Sequence, residues 1–314
     1  HVAWLELVLA SGEVVRASPD QNPALFRASI GGGGLTGIIS RVALSLAPAP
    51  SARIDVKETR MANIDAFLEA FEAASGRHAF SVGWIDAMAR GPALGRGILE
   101  LGDFAEAEAE MAPLPARRRR RVPFAFPGFA LSGPSVRLFN RHYLNRIPLE
   151  GRQRTIPLDA FLYPLDALLD WNLIYGRRGL RQFQCVLPEE QARAGMVKLL
   201  QAIADSRRAS FLAVLKRLGG SGRGHLSFPR EGYTLALDFP NRARTAALFE
   251  RLEAITLEHG GRIYLAKDSL LSAAGFGAMY PELPAFREVL EEVDPEARFQ
   301  SDLSRRLRIR EDAP

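Results

Sequence analysis

The sequence predicts an α+β fold: an antiparallel sheet with helices against one face. Two observations carry this reading. The region after Arg181 runs strand, helix, strand, strand, helix, strand, the split order of a ferredoxin-like layer, and its helix ends carry favourable terminus chemistry. Gln182 to Leu187 reads as the first strand, and Pro188-Glu189-Glu190 opens the helix after it, with acidic side chains at the positive end of the peptide dipoles. Ser210 to Leu218 and Tyr233 to Phe239 read as the middle strands. Leu248, Leu252 and Ile255 mark the second helix, glycines at 260 and 261 end it, and Arg262 to Ala266 is expected to be the last strand.

The upstream elements are read in the same way. Trp4 to Leu9 and Val14 to Arg16 flank a glycine turn and predict a hairpin. Pro23 to Ala28 reads as a short helix, and Leu35 to Ile39 as a strand after four consecutive glycines. The Pro- and Ala-rich stretch 47–50 marks a boundary. Ile54 to Thr59 is extended; Ile64, Phe67, Leu68 and Phe71 recur at helical spacing behind Asn63, a good N-cap; Phe80 to Ala87 is a strand. The proline-, arginine- and glycine-rich stretch 102–156 shows no clear element pattern and is expected to contain loops.

Composition bounds the function. With 314 residues, 47% hydrophobic and 25% charged, the chain has the makeup of an ordinary globular protein and room for two domains. No apolar run approaches the roughly 18 to 20 residues of a membrane-spanning helix, and the expected location is cytoplasmic, with peripheral contact at the inner membrane as an option. A single cysteine, Cys185, excludes an internal disulfide and a cysteine-rich metal site; it is expected to be a buried small hydrophobe. The histidines are scattered without ligand spacing, so no metal is expected. The opening on His1 directly into a strand suggests that the sequence starts inside a longer protein.

Five consecutive arginines, Arg117 to Arg121, lie between prolines. Such a run repels itself and is expected to be a solvated loop; alternatively it attracts anionic headgroups or a phosphate-bearing substrate. No nucleic-acid-binding motif accompanies it, so nucleic acid is not expected as a partner.

The string Ala24 to Ile39, with Gly31-Gly32-Gly33-Gly34 and Thr36-Gly37 inside it, resembles the end of the flavin-binding domain in the vanillyl-alcohol-oxidase superfamily, the PCMH-type FAD-linked oxidases. Glycines there let a backbone approach a dinucleotide closely. Further segments resemble, in order, the branch acting on polyprenyl-phosphoryl pentoses: Leu94-Gly95-Arg96-Gly97, Tyr163-Pro164-Leu165-Asp166, Trp171-Asn172, Gln182-Phe183-Gln184, Leu226 to Pro229, Asp238-Phe239-Pro240, Gly261 to Ser269, Ala278 to Pro281 and Ser301 to Leu307. The resemblance covers nearly the whole chain. It implies FAD-binding pieces at 1–50 and 262–314, a substrate-binding domain with an antiparallel sheet at 51–261, and a missing N-terminal part of the FAD domain.

The same resemblance implies the roles. Lys267 would be the catalytic lysine beside the flavin, with a solvated lysine paired to Asp268 as the plainer reading of the spacing. Gly33, Gly34, Thr36, Gly37, Ile39 and Tyr264 would bind the cofactor. Trp84, Tyr163, Leu165, Asn172, Gln182, Gln184, Leu212, Val214, Lys216 and Ala236 would bind substrate. Gln182 and Gln184 share one face of their strand, as alternate residues must, and paired amides suit a polyhydroxylated ligand. Ala236 stands where the family has a pocket cysteine, Val82 where it has a serine and Leu218 where it has a phenylalanine, so the chemistry is better specified than the substrate. The implied reaction oxidises a secondary hydroxyl of a polyprenyl-phosphoryl sugar or another sugar alcohol, with a partner reductase of the short-chain dehydrogenase type completing an epimerisation. An aldonolactone or sugar-alcohol oxidase, or a catalytically silent substrate-binding module, are the alternatives.

Overall fold

The structure is a computed structural model and describes residues 1–106, 118–208 and 211–310. Strands β1 (Val2–Val8) and β2 (Val14–Ala17) form the expected hairpin, followed by α1 (Pro23–Ser29) and β3 (Ile38–Leu44). Then come β4 (Arg53–Met61), α2 (Ile64–Ala74), β5 (Phe80–Ile85), β6 (Gly97–Phe104) and the two-residue β7 (Arg120–Arg121). The chain continues through α3 (Gly133–Asn145), β8 (Arg152–Pro157), α4 (Leu158–Leu162), β9 (Leu168–Leu169) and β10 (Leu180–Leu187). Next are α5 (Glu189–Ser206), β11 (Ala213–Leu218), β12 (Gly232–Pro240), α6 (Thr245–Glu258) and β13 (Arg262–Ile263). Three helices finish it: α7 (Ala273–Met279), α8 (Leu283–Val293) and α9 (Asp302–Arg306).

The central feature is an eight-stranded sheet in the order β13-β10-β12-β11-β5-β6-β4-β8, with every neighbouring pair antiparallel. Numbered within each half, both halves run fourth, first, third, second strand from the rim inward, and they meet where Val214 of β11 faces Trp84 of β5. The expected split unit after Arg181 is therefore one of two; the chain uses the same arrangement earlier, from β4 to β8. A separate sheet, β2-β1-β3, buries Leu5 and Leu7 and leaves Ile38, Ile39, Val42 and Leu44 of β3 exposed.

Pleating gives the large sheet two unlike faces. On the back, Phe183, Leu187, Leu215, Leu235 and Leu237 share one core with Phe67 and Phe71 of α2, Met196, Leu199 and Ile203 of α5, and Leu252 of α6. Burying each large side chain contributes about 1.5–3 kcal/mol. Phe67 needs glycine above it: a Cβ at Gly83 would lie 2.7 Å from its ring. Asn63 caps α2 as expected, its side chain accepting from the Ala66 N–H at 3.0 Å.

Several expectations are corrected. Helices do not cover one face only: Tyr143 and Leu144 of α3, with Ile147 beyond its end, pack on Trp84 and Ile98, which point to the front. Those two apolar side chains would otherwise face water. Besides loops, the stretch 102–156 holds the end of β6, then α3 and the start of β8. Its Ser, Gly and Pro residues initiate α3: Ser132 caps the helix and Pro134 sits in the first turn, where no N–H is needed. Within the arginine run, Arg120 and Arg121 pair parallel to β9, and Arg117 lies outside the described residues. The expected strand over Leu35–Ile39 begins only at Ile38; Gly37, at φ 146°, turns the chain into it, and a Cβ there would come 2.8 Å from the Val8 carbonyl. The expected strand start at Ser210 also lies outside the described residues. Pairing after Gly261 ends at Ile263, and Leu265–Lys267 is a 3₁₀ turn closed by the Lys267 N–H on the Tyr264 carbonyl.

Candidate functional site

The front face is polar where the back is apolar. Register puts Gln182 opposite Asp238, Gln184 opposite Ala236, Val214 opposite Ala236 and Lys216 opposite Thr234, so these residues share the front. Leu212 lies in the same alternate series. The Gln182 amide donates to the Asp238 carboxylate at 2.9 Å, and the Gln184 amide donates to the Thr234 hydroxyl at 3.0 Å. Among the described residues their amide oxygens accept no hydrogen bond and are open to a ligand. Tyr175 also donates to Asp238 at 3.4 Å. Burial pushes the Asp238 carboxyl above the usual carboxylate range, against the pull of Gln182, Lys267 and Tyr175.

Lys267 reaches this group from the rim. Its charge acts on Asp238 and on Lys216, whose ammonium is pulled below its ordinary value first by desolvation and then by Lys267. Asp268 is not its partner: one carboxylate oxygen accepts from the Leu270 and Leu271 N–H groups, and the other binds Arg306 at 2.5 Å. Among the described residues the Lys267 ammonium makes no hydrogen bond or ion pair. Lys267 thus brings a positive charge to bear on both Asp238 and Lys216, suited to an oxygen that gains negative charge.

The expected cofactor residues form a second group. Gly33 and Gly34 are exposed, at φ 64° and 76°, with nothing in the space a Cβ would fill, and their N–H groups make no hydrogen bond among the described residues. Such a loop can meet a polar ligand through its backbone. Gly31 abuts the Leu226 carbonyl, and Phe228 of that same segment stacks on Tyr264 with centroids 4.5 Å apart. The glycine loop and the lysine turn are therefore linked through residues 224–228. The Thr36 hydroxyl is buried and bonded to Ser29 at 2.8 Å, so it serves the loop's own packing. Ile39 stands exposed on β3.

Other expected substrate residues are spread along the face. Trp84 donates its indole N–H to the Phe211 carbonyl at 2.9 Å and lies under Tyr143, 4.7 Å between ring centroids. Tyr163 and Leu165 follow α4, which packs at the β8 end where Phe161 meets Gly102. Asn172 is exposed in the turn that carries Tyr175.

Sequence reasoning missed Asp238 as a site residue, although a lone acid in the otherwise apolar run Tyr233 to Pro240 was a usable signal. It also missed a charge cluster at the other end of the front. Glu58 is 0% exposed and binds Arg152 at 2.6 Å, Arg154 at 3.0 Å and Arg146 at 3.4 Å; Arg146 also reaches Glu100 at 3.4 Å. Burial and the neighbouring Glu58 raise the Glu100 carboxyl above its usual range. Nothing local marks these residues, because strand pairing assembles them.

A helix-layered antiparallel sheet with a lysine-centred polar face and an open glycine loop suits an oxidoreductase that holds a sugar-like ligand against a cofactor. Residues 233–307 match the family model for D-arabinono-1,4-lactone oxidase. Over 98% of its length the chain is 33% identical to decaprenylphosphoryl-beta-D-ribose oxidase of Mycolicibacterium smegmatis, of which it spans 69%. It is 32% identical to an uncharacterized protein of Streptomyces coelicolor, spanning 86% of that protein, and 48% identical over 50 residues to cytokinin dehydrogenase 9 of Oryza sativa subsp. japonica. The chain belongs to the FAD-linked oxidase family.

Among the described residues no helix is long and apolar enough to cross a membrane. The Cys185 thiol is fully buried, which pushes its pKa up to about 12, in line with a packing role.

Proposed function

We propose that the protein oxidises a secondary hydroxyl of a sugar, of the polyprenyl-phosphoryl pentose kind, to a keto group. The observation that carries this reading is Lys267, without a hydrogen-bond or ion-pair partner among the described residues and acting on Asp238 and Lys216, beside a sheet face lined by Gln182 and Gln184. The residues present fit FAD: the open backbone of Gly33 and Gly34 would hold its polar part, and Tyr264 and Lys267 would contact its ring. When bound, FAD supplies the two-electron acceptor that takes a hydride from the sugar carbon.

The chain's own residues do the rest. Lys267 holds the substrate hydroxyl, and with Lys216 it offsets the negative charge that grows on the oxygen as its proton leaves to solvent. Gln182 and Gln184 turn their amide oxygens to neighbouring hydroxyls and fix the ring. The domain reading belongs to the same proposal: 51–261 binds substrate, while 1–50 and 262–314 contribute to the FAD side.

The match of residues 233–307 to the D-arabinono-1,4-lactone oxidase model favours a second reading, an aldonolactone oxidase using the same lysine. The test is anaerobic bleaching of FAD-loaded protein by a polyprenyl-phosphoryl pentose and, separately, by D-arabinono-1,4-lactone, with Lys267→Ala alongside. Bleaching by the pentose, lost in the variant, is the expected result. Bleaching by the lactone alone selects the second reading, and no bleaching by either leaves a substrate-binding module.

A further inference from the structure

We propose that residues 118–149 form a docking surface for an anionic lipid bilayer, independent of the reaction proposed above. Between Ala112 and Leu149 the sequence has eight arginines and no acidic residue. The remaining 33 basic and 36 acidic residues leave a net −3, so the positive charge of the chain is concentrated here.

In the structure these cations face outward. Arg118 to Arg120 are exposed; Arg121 is too, and keeps one acidic partner, Asp170, at 2.8 Å. Arg137 and Arg141, one helical turn apart, stand on the open side of α3. Between and before them are large apolar side chains in water: Leu138 is 71% exposed and Phe129, in the turn that leads into α3, 74%. Arg146, by contrast, turns inward to Glu58 and Glu100.

The combination selects the partner. Exposed apolar side chains gain nothing from a nucleic-acid backbone, and a free phosphate ion leaves them in water. A bilayer offers both anionic headgroups for the arginines and, a few ångströms deeper, an apolar layer for Leu138 and Phe129. The surface also adjoins the front-face site. Phe139 of α3, 41% exposed, packs on Phe211 at 5.2 Å, Phe211 stacks on Tyr175 at 6.1 Å, and Tyr175 donates to Asp238. Docking through α3 would bring the site to the membrane.

The test is flotation of the purified protein with vesicles of phosphatidylcholine alone and of equal parts phosphatidylcholine and phosphatidylglycerol. The expected result is binding to the anionic vesicles only, weakened by salt. R137Q/R141Q is expected to melt like the parent and to bind about thirtyfold more weakly, the loss for two interfacial arginines. F129S/L138S is expected to retain only binding that moderate salt abolishes. Equal binding to both vesicles, no binding at low salt, or unchanged binding in R137Q/R141Q overturns the proposal. So does release by inorganic phosphate at an ionic strength where chloride does not release the protein, which marks a discrete phosphate site. Loss of self-association in F129S/L138S with vesicle binding intact also overturns it, in favour of a contact between copies.

Discussion

The two ends of the front face carry similar residues and treat charge in opposite ways. At the β4–β8 end, Glu58 is enclosed by three arginines, and Glu100 shares one of them. At the β10–β12 end, Lys267 acts on both Asp238 and Lys216, and its ammonium has no hydrogen-bond or ion-pair partner among the described residues. A compensated cluster holds strands and α3 in place; an uncompensated one is left for a ligand to complete. Both lie on one sheet, so burial alone does not separate structural from chemical charge. The state of pairing does.

That contrast can be broken by substitution at each end. The largest effect is expected for Lys267→Ala: substrate-driven bleaching falls roughly a hundredfold or more, while thermal unfolding stays near the parent's, because the lysine supports no packed neighbour. The opposite split is expected for Glu58→Ala. Removing the buried carboxylate strands Arg152 and Arg154, leaves Arg146 to Glu100, and lowers the unfolding free energy by about 3–5 kcal/mol in denaturant titration. If Glu58→Ala proves as stable as the parent, the compensated end is not structural and the contrast fails.

Trp84 sits between the ends and sharpens the boundary. Trp84→Phe loses the indole bond to the Phe211 carbonyl and leaves that acceptor unsatisfied, at a stability loss of about 1–3 kcal/mol in the same titration. The smallest effect is pH-dependent. Asp238 has its pKa raised in the folded protein, so both states hold the proton below about pH 4, and the native state bears the full burden of ionising a buried group only above its folded pKa. Asp238→Asn is therefore expected to melt like the parent at acid pH and to gain stability relative to it as pH rises toward 7. A gap that shrinks with rising pH would mean that Lys267 and Gln182 outweigh burial.

Legibility in the sequence followed the range of the interactions. The hairpin at the start, α2 with its Asn63 cap, α5 and α6 were readable because capping and apolar spacing are local. The first split unit was obscured, since β6 carries Gly97 and Gly102 for reasons that lie elsewhere: a Cβ at Gly97 would press on Phe67, and one at Gly102 on Ile54 and Phe161. The helix α3 was hidden behind Pro134 and Gly133, which read as breakers until the helix is seen to start there.

The site divides along the same line. By itself the sequence determined the α+β class, the shared face of Gln182 and Gln184, the buried character of Cys185 and a family resemblance strong enough to mark Lys267. Those properties depend on residue identity and on spacings within one element. Tertiary structure alone decided that Lys267 leaves Asp268 to Arg306 and acts instead on Asp238 and Lys216, that Thr36 turns inward, and that Glu58 gathers arginines from β8 and the end of α3. Each partner there is tens of residues or more away in the chain except Thr36, whose hydroxyl is fixed by a turn. For the charges on the sheet, antiparallel pairing fixes which ones meet, because a one-residue change of register would send Asp238, Lys216 and Glu58 to the other face.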